Sequence, residues 1–185
     1  LSLHDALPIS HQVALFASTS KITFAGAGQA FCGLSEPMLQ GFETFLTPQM
    51  IGFDKVNQLR HARLLKDSND IAKHMTAHRV ILEPKFQRVQ EKLMPLAEAD
   101  LATWSQPGGG YFVSLDLKAA SATQVIALAN AAGVKLTPAG ATFPYGHDPE
   151  DKNIRIAPSF PDMMELDQAL DVLVCCIVKA SEVDR

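Results

Sequence analysis

Ile71, Met75, His78, Leu82, Phe86, Val89 and Leu93 follow one another at steps of four, three, four, four, three and four residues. At about 3.6 residues per turn this spacing puts all seven on one face of a single helix about six turns long. A strand, whose side chains alternate between two faces, cannot use such a pattern. Pro84 lies within the run and removes a backbone donor, so the helix is expected to bend near it. Long bent helices commonly join two domains, and the chain is read accordingly.

On either side of this helix the pattern changes repeatedly. Residues 13–17, VALFA, read as a buried strand, and the small residues after it read as a turn that delivers Lys21 to the strand's end. Residues 29–46 are mixed apolar and expected to be helical, ending at Thr47-Pro48. In residues 52–65, Phe53, Val56, Leu59 and Leu64 recur at near-helical spacing, and KDSND then offers several N-caps. Beyond the long helix, Pro107 and the glycines at 108–110 form a turn, and YFVSLDL alternates as a half-buried strand does. Ser121 caps a helix to about Ala132, Gly133 ends it, and VKL starts a short strand. NIRIAPS is a further strand, and residues 162–178 form an amphipathic closing helix with Met163, Leu166, Leu170, Leu173 and Ile177 on its stripe. The order β, α, α, long α, β, β, α, β, β, α is mixed α/β or α+β.

The chain has 185 residues, 47% hydrophobic and 19% charged, enough for one sizeable core. A net charge of −4 without a long basic stripe favours neither nucleic acid nor a membrane surface as partner. Cys32, Cys175 and Cys176 have no metal-like spacing and are read as reduced core residues of a cytoplasmic protein. The opening LSLHDALPIS lacks an initiator methionine and resembles a translated sequencing-adapter scar. It is set aside, with the expectation that the chain is a fragment whose upstream half is missing.

The chemistry concentrates in LFASTSKITFAGAG. A lysine is ordinarily a solvated surface charge. Here it follows small hydroxyl residues at the rim of a sheet, where an amine can condense with a carbonyl while hydroxyls and backbone amides bind a cofactor phosphate. Arg155 stands between two strand isoleucines, where burial is costly unless a carboxylate meets its planar fork. That carboxylate could belong to a substrate or to the protein itself.

Taken in order, ASTSKITFAGAG, DKVNQLRHAR, GGYF, LTPAG and FPYGHDPEDKNIRIAPSFP resemble the C-terminal half of fold-type I pyridoxal-phosphate aminotransferases. The likeness is closest to bacterial class Ic aspartate aminotransferases and runs from about Val13 to the C-terminus. It implies an α/β fold: the end of the large-domain sheet plus the small α+β C-terminal domain. The implied division is an adapter-derived segment at 1–10, a remnant of the cofactor-binding domain at 11–66, an interdomain helix at 67–95 and the small domain at 96–185.

By that resemblance Lys21 is the Schiff-base lysine for pyridoxal 5'-phosphate and then the base that moves the substrate α-proton. Ser18 donates to the cofactor phosphate with Ser20 assisting, though turn chemistry explains Ser20 equally. Arg155 grips the substrate α-carboxylate, and Tyr111 lines the substrate side of the pocket. Phe112 is read as a core aromatic, and TPAG and Phe143 as pocket-edge scaffolding. Many relatives carry a phosphate-binding arginine seven or eight residues after the lysine, where this chain has Gly28 and Gln29. The counter-charge is then expected from amides at the N-terminus of a helix beginning near Gly28, or from an upstream cation.

The implied reaction is transamination of aspartate with 2-oxoglutarate in a homodimer, with this fragment inactive and poorly soluble alone. Three other readings stay open: an effector-sensing domain of a transcription regulator, a lyase of the same fold, and an α/β binding domain without cofactor. His74 and His78 share a helical face, but no third ligand accompanies them, so no metal is expected. GAGQAFCG lacks the spacing and the acidic residue of a dinucleotide loop.

Overall fold

Antiparallel pairing organises both ends of the chain in the structure, a computed structural model that describes residues 12–183. The segment 1–10 read as an adapter scar lies outside the described residues. The chain divides into two compact units, residues 1–78 and 79–185. The boundary falls inside the long helix rather than at either of its ends.

In the first unit β1 (Leu15–Ser18) pairs antiparallel with β2 (Ala30–Gly33), Ser18 opposite Ala30. Two helices follow, α1 (Glu36–Leu46) and α2 (Lys55–Leu64), then the first turns of α3 (Ser68–Glu98). The helix expected from Gln29 therefore starts later. Thr19 N–H donates to the Gln29 carbonyl at 2.8 Å and extends the hairpin ladder, committing residues 30–33 to the strand. Helix formation waits for Ser35 and Pro37, where a proline's missing donor is harmless. At α2, Asp54 Oδ1 caps by accepting from Asn57 N–H at 2.9 Å. At α3, Asp67 Oδ1 accepts from Asn69 and Asp70 N–H at 2.8 and 2.9 Å.

The first unit's described residues bury no apolar side chain; those buried are Thr19, Ser35, Asn57 and His61. Phe53, Val56, Leu59 and Leu64, spaced as a helical stripe, are exposed, as are Phe16, Phe31, Phe45 and Ile51.

The second unit holds the hydrophobic core. Its sheet runs β3 (Ala102–Trp104), β4 (Val113–Leu117), β5 (Asn153–Ile156), all antiparallel, with α4 (Ala122–Ala131) and α5 (Met163–Val183). Val113, Leu115 and Leu117 of β4 and Ile154 and Ile156 of β5 are buried with Val89, Leu93 and Leu96 of α3 and Leu166, Leu170, Leu173 and Ile177 of α5. Fully burying each such side chain stabilises the fold by about 1.5–3 kcal/mol. Arg88 and Lys92 on α3 reach Asp167 at 3.4 and 3.1 Å, tying that helix to α5 at its rim. The expected strand at residues 134–136 pairs with no strand. Val134 N–H turns back to the Ala129 carbonyl at 2.8 Å, and Gly133 takes a φ of 90° to end α4.

Of the cysteines read as core residues, only Cys176 is buried; Cys32 and Cys175 are exposed. The buried stripe of α5, Leu166, Leu170, Leu173 and Ile177, takes in Cys176 but not Cys175, and Cys32 lies in the exposed hairpin strand. Among the described residues no helix is long and apolar enough to cross a membrane.

Candidate active site

Lys21 rides at the apex of a one-turn loop. Ile22 and Thr23 N–H both donate to the Thr19 carbonyl at 3.0 Å, so the chain reverses around the lysine directly after β1. Lys21 itself is exposed. Beside it the Ser18 and Ser20 hydroxyls lie 2.7 Å apart, and Ser20 N–H donates to Ser18 Oγ at 3.1 Å. Two hydroxyls and an amine on one exposed loop form a donor set suited to a phosphate and an aldehyde on the same molecule. Gly28 makes this close packing possible. A Cβ there would press far inside van der Waals contact of Ser20 Oγ and stand 2.8 Å from Ser20 Cα. No helix begins at Gly28: residues 30–33 form β2 and Gln29 N–H donates to Thr19 Oγ1, so the helix terminus expected to supply the phosphate's counter-charge is not there.

The base of the loop is fastened by helices. Thr19 Oγ1 accepts from Gln29 N–H at 2.8 Å and lies 3.1 Å from His61 Nε2, while Thr23 Oγ1 lies 2.8 Å from the same nitrogen. Asn57 Nδ2 donates to the Ala27 carbonyl at 2.8 Å. His74 Nε2 meets the Ile22 carbonyl, with His78 Nε2 3.2 Å behind it. DKVNQLRHAR therefore contains two loop-bracing residues that its helical period hid. Asn57 and His61, one turn apart, were legible only as a spacing of four.

In the second unit Arg155 sits opposite Ser114 in the β4/β5 ladder. Strand alternation resolves its place between two isoleucines. Ile154 and Ile156 enter the core, while Arg155, Asn153, Ser114 and Asp116 share the opposite face. Arg155 Nε and Nη2 reach Thr137 Oγ1 at 3.4 and 3.3 Å, long for such bonds, and the guanidinium carbon stands 4.5 Å from the Phe112 ring centroid. Among the described residues it pairs with a hydroxyl and a ring rather than with a carboxylate, so the fork remains suited to an incoming carboxylate. Phe112, expected in the core, is 46% exposed, because it precedes the buried Val113 and so falls on the arginine's side. Tyr111 is half-buried next to it. Thr137, within the TPAG read as scaffolding, thus touches the arginine directly.

The FPYGHDPEDKN segment fixes the entry to β5. Asp148 accepts from Glu150, Lys152 and Asn153 N–H at 3.1, 2.9 and 2.9 Å. Burial pushes its carboxyl up, but these three amides and the Lys152 charge outweigh that and hold it below the ordinary carboxylate value. Asn153 then donates to Ser114 Oγ and Asp116 Oδ1 at 2.9 and 2.8 Å, on the polar face beside Arg155. Among the described residues no group of three or more histidine, cysteine or acidic side chains converges to hold a metal.

A family model described as aspartate amino-transferase matches residues 6–185. The chain is 48% identical over 168 residues to a Mycolicibacterium smegmatis protein named as an aminotransferase, covering 90% of this chain and 39% of that protein. It is 44% identical over 167 residues to the aspartate aminotransferase of Corynebacterium glutamicum, again covering 90% and 39%. The crystal structure of an aspartate transaminase from Corynebacterium glutamicum superposes with a TM-score of 0.87 at 43% identity, covering 92% of this chain and 41% of that one. The chain thus spans about two fifths of the length of the curated relatives it matches.

Proposed function

The chain belongs to the aspartate aminotransferase family, and on that premise we propose that it supplies the covalent lysine and the carboxylate-binding arginine of a pyridoxal-phosphate-dependent aminotransferase. Its substrates are aspartate and 2-oxoglutarate, its products oxaloacetate and glutamate, and it acts as a cytoplasmic homodimer. The amino group passes from one acid to the other and an oxo group returns, so no external oxidant is needed. The single observation that carries this reading is the Lys21 loop, an exposed lysine directly after two paired hydroxyls, packed closely by Gly28.

Bound pyridoxal phosphate supplies an aldehyde that an amine can capture with loss of water, and a conjugated ring that accepts the electron pair left at the substrate α-carbon. The chain's own residues do the rest. Lys21 Nζ would hold the cofactor and would carry the α-proton. Ser18 and Ser20 would donate hydrogen bonds to the phosphate. Arg155 clasps the α-carboxylate with the edge of its fork not turned to Thr137, and Phe112 keeps the guanidinium plane from rotating. Tyr111 borders the substrate.

The test uses the full gene product incubated with pyridoxal phosphate, reduced with borohydride and mapped by peptide mass spectrometry. The expected result is one phosphopyridoxyl group on Lys21, lost in Lys21→Ala and kept in Lys55→Ala. A label that persists in Lys21→Ala overturns the assignment.

A further inference from the structure

One buried imidazole closes the base of the Lys21 loop. His61 is 6% exposed and projects from α2, with Nδ1 2.9 Å from the carbonyl of Asn57 in its own helix. A carbonyl only accepts, so Nδ1 carries the proton, and in that tautomer Nε2 accepts. Nε2 faces Thr23 Oγ1 at 2.8 Å and Thr19 Oγ1 at 3.1 Å, the hydroxyls two residues to either side of Lys21. The threonine hydroxyls also contact each other at 3.1 Å. The three polar atoms thus share the two hydroxyl protons, and Thr23 Oγ1 also reaches the Thr19 carbonyl at 3.0 Å. Thr19 is in addition bound to Gln29 through both its backbone N–H and its hydroxyl, and Phe24 packs edge-on to the imidazole with centroids 5.9 Å apart.

We propose that His61 is a positioning residue for Lys21: its Nε2 lone pair gathers Thr19 and Thr23 and so fixes the backbone on which the amine stands. The inference rests on the reading of Lys21 as the cofactor-binding lysine. Among the described residues of this unit the buried side chains are Thr19, Ser35, Asn57 and His61, all of them polar. No apolar side chain described in this unit is fully buried, so these directional bonds, with Phe24 edge-on to the imidazole, set the loop's geometry. An amine that must both capture a carbon and carry a proton is sensitive to displacement of about 1 Å, which costs on the order of a hundredfold in rate.

The experiment follows the rate at which pyridoxal phosphate becomes fixed by borohydride onto Lys21 in the full gene product, together with kcat and KM for the amino acid. His61→Leu keeps the far-ultraviolet circular dichroism but slows labelling and lowers kcat by about tenfold or more, leaving KM within about twofold. His61→Gln, whose amide oxygen occupies the place of the Nε2 lone pair, restores most of both. Thr23→Val slows labelling in the same direction, Thr23→Ser restores it, and this pair decides the matter should His61→Leu fail to fold. Wild-type labelling rates in His61→Leu or Thr23→Val, or a His61→Gln as slow as His61→Leu, overturn the inference while the Lys21 assignment stands. A label that survives Lys21→Ala removes the assignment and this inference together.

Discussion

The Phe112 ring lies 4.5 Å from the guanidinium carbon of Arg155, on the polar face of a sheet whose other face is the core. A flat cation against a flat ring can slide but resists tilting, and the Thr137 hydroxyl holds one edge of the fork. Arg155→Lys keeps the charge but loses the bidentate edge, so KM for the amino acid is expected to rise about tenfold to a hundredfold in the full gene product. Phe112→Leu removes the ring's attraction, about 0.5–2 kcal/mol, and raises KM a few-fold. Steady-state kinetics read both, and an unchanged KM in Arg155→Lys contradicts the carboxylate role.

Gly140 takes a φ of 77°, and a Cβ on it would lie 2.8 Å from the Gly146 carbonyl carbon and closer still to its oxygen. Backbone blocks backbone here, so no side chain can swing away. Gly140→Ala is expected to destabilise the second unit by about 2 kcal/mol or more. A thermal melt superposable on wild type would show that the segment adjusts freely.

Asp148 links stability to acid pH. Its folded carboxyl lies below the ordinary value of about 4, so its contribution is complete above that range and is lost as pH falls through the lowered folded value. Urea midpoints of wild type and Asp148→Asn should therefore differ by a constant amount at neutral pH and converge in strong acid. A gap that stays constant down to the acid limit would mean the three amides do not favour the charged form.

Cys175 and Cys176 are adjacent yet differ in reach. Burial pushes the Cys176 thiol up, with the neighbouring Cys175 adding to the effect, whereas Cys175 is exposed. Iodoacetamide at pH 8 should alkylate Cys175 well before Cys176, as peptide mapping can follow. Equal rates would mean that α5 frays at this point.

The sequence made the second unit far more legible than the first, for a physical reason. In α5, Leu166, Leu170, Leu173 and Ile177 meet a core that the same chain provides, so their period of 3.6 reports their burial directly. Val56 and Leu59 of α2 have similar spacing yet are exposed, because no described residue of the first unit covers them. Ala30 to Gly33 looked helical, since four residues carry too little pattern to reveal a hairpin partner beginning at Leu15. Lys21, Ser18, Ser20 and Arg155 are proposed from motif order. His61 and Asn57 are not, because a brace that acts through hydrogen bonds leaves no periodic trace. Phe112 was taken for core because YF reads as a strand start, and only the register with β5 assigns it to the arginine's face.

The polar interior of the first unit has a calorimetric consequence. The heat-capacity increment on unfolding arises mainly from apolar surface newly exposed to water, and among the described residues the fully buried apolar side chains all lie after Arg79. Melting of the Lys21 loop and its helices should absorb enthalpy from broken hydrogen bonds while leaving the baseline nearly level. Warming would then disorder the Lys21 loop gradually, ahead of the sharp, curved transition of the remainder.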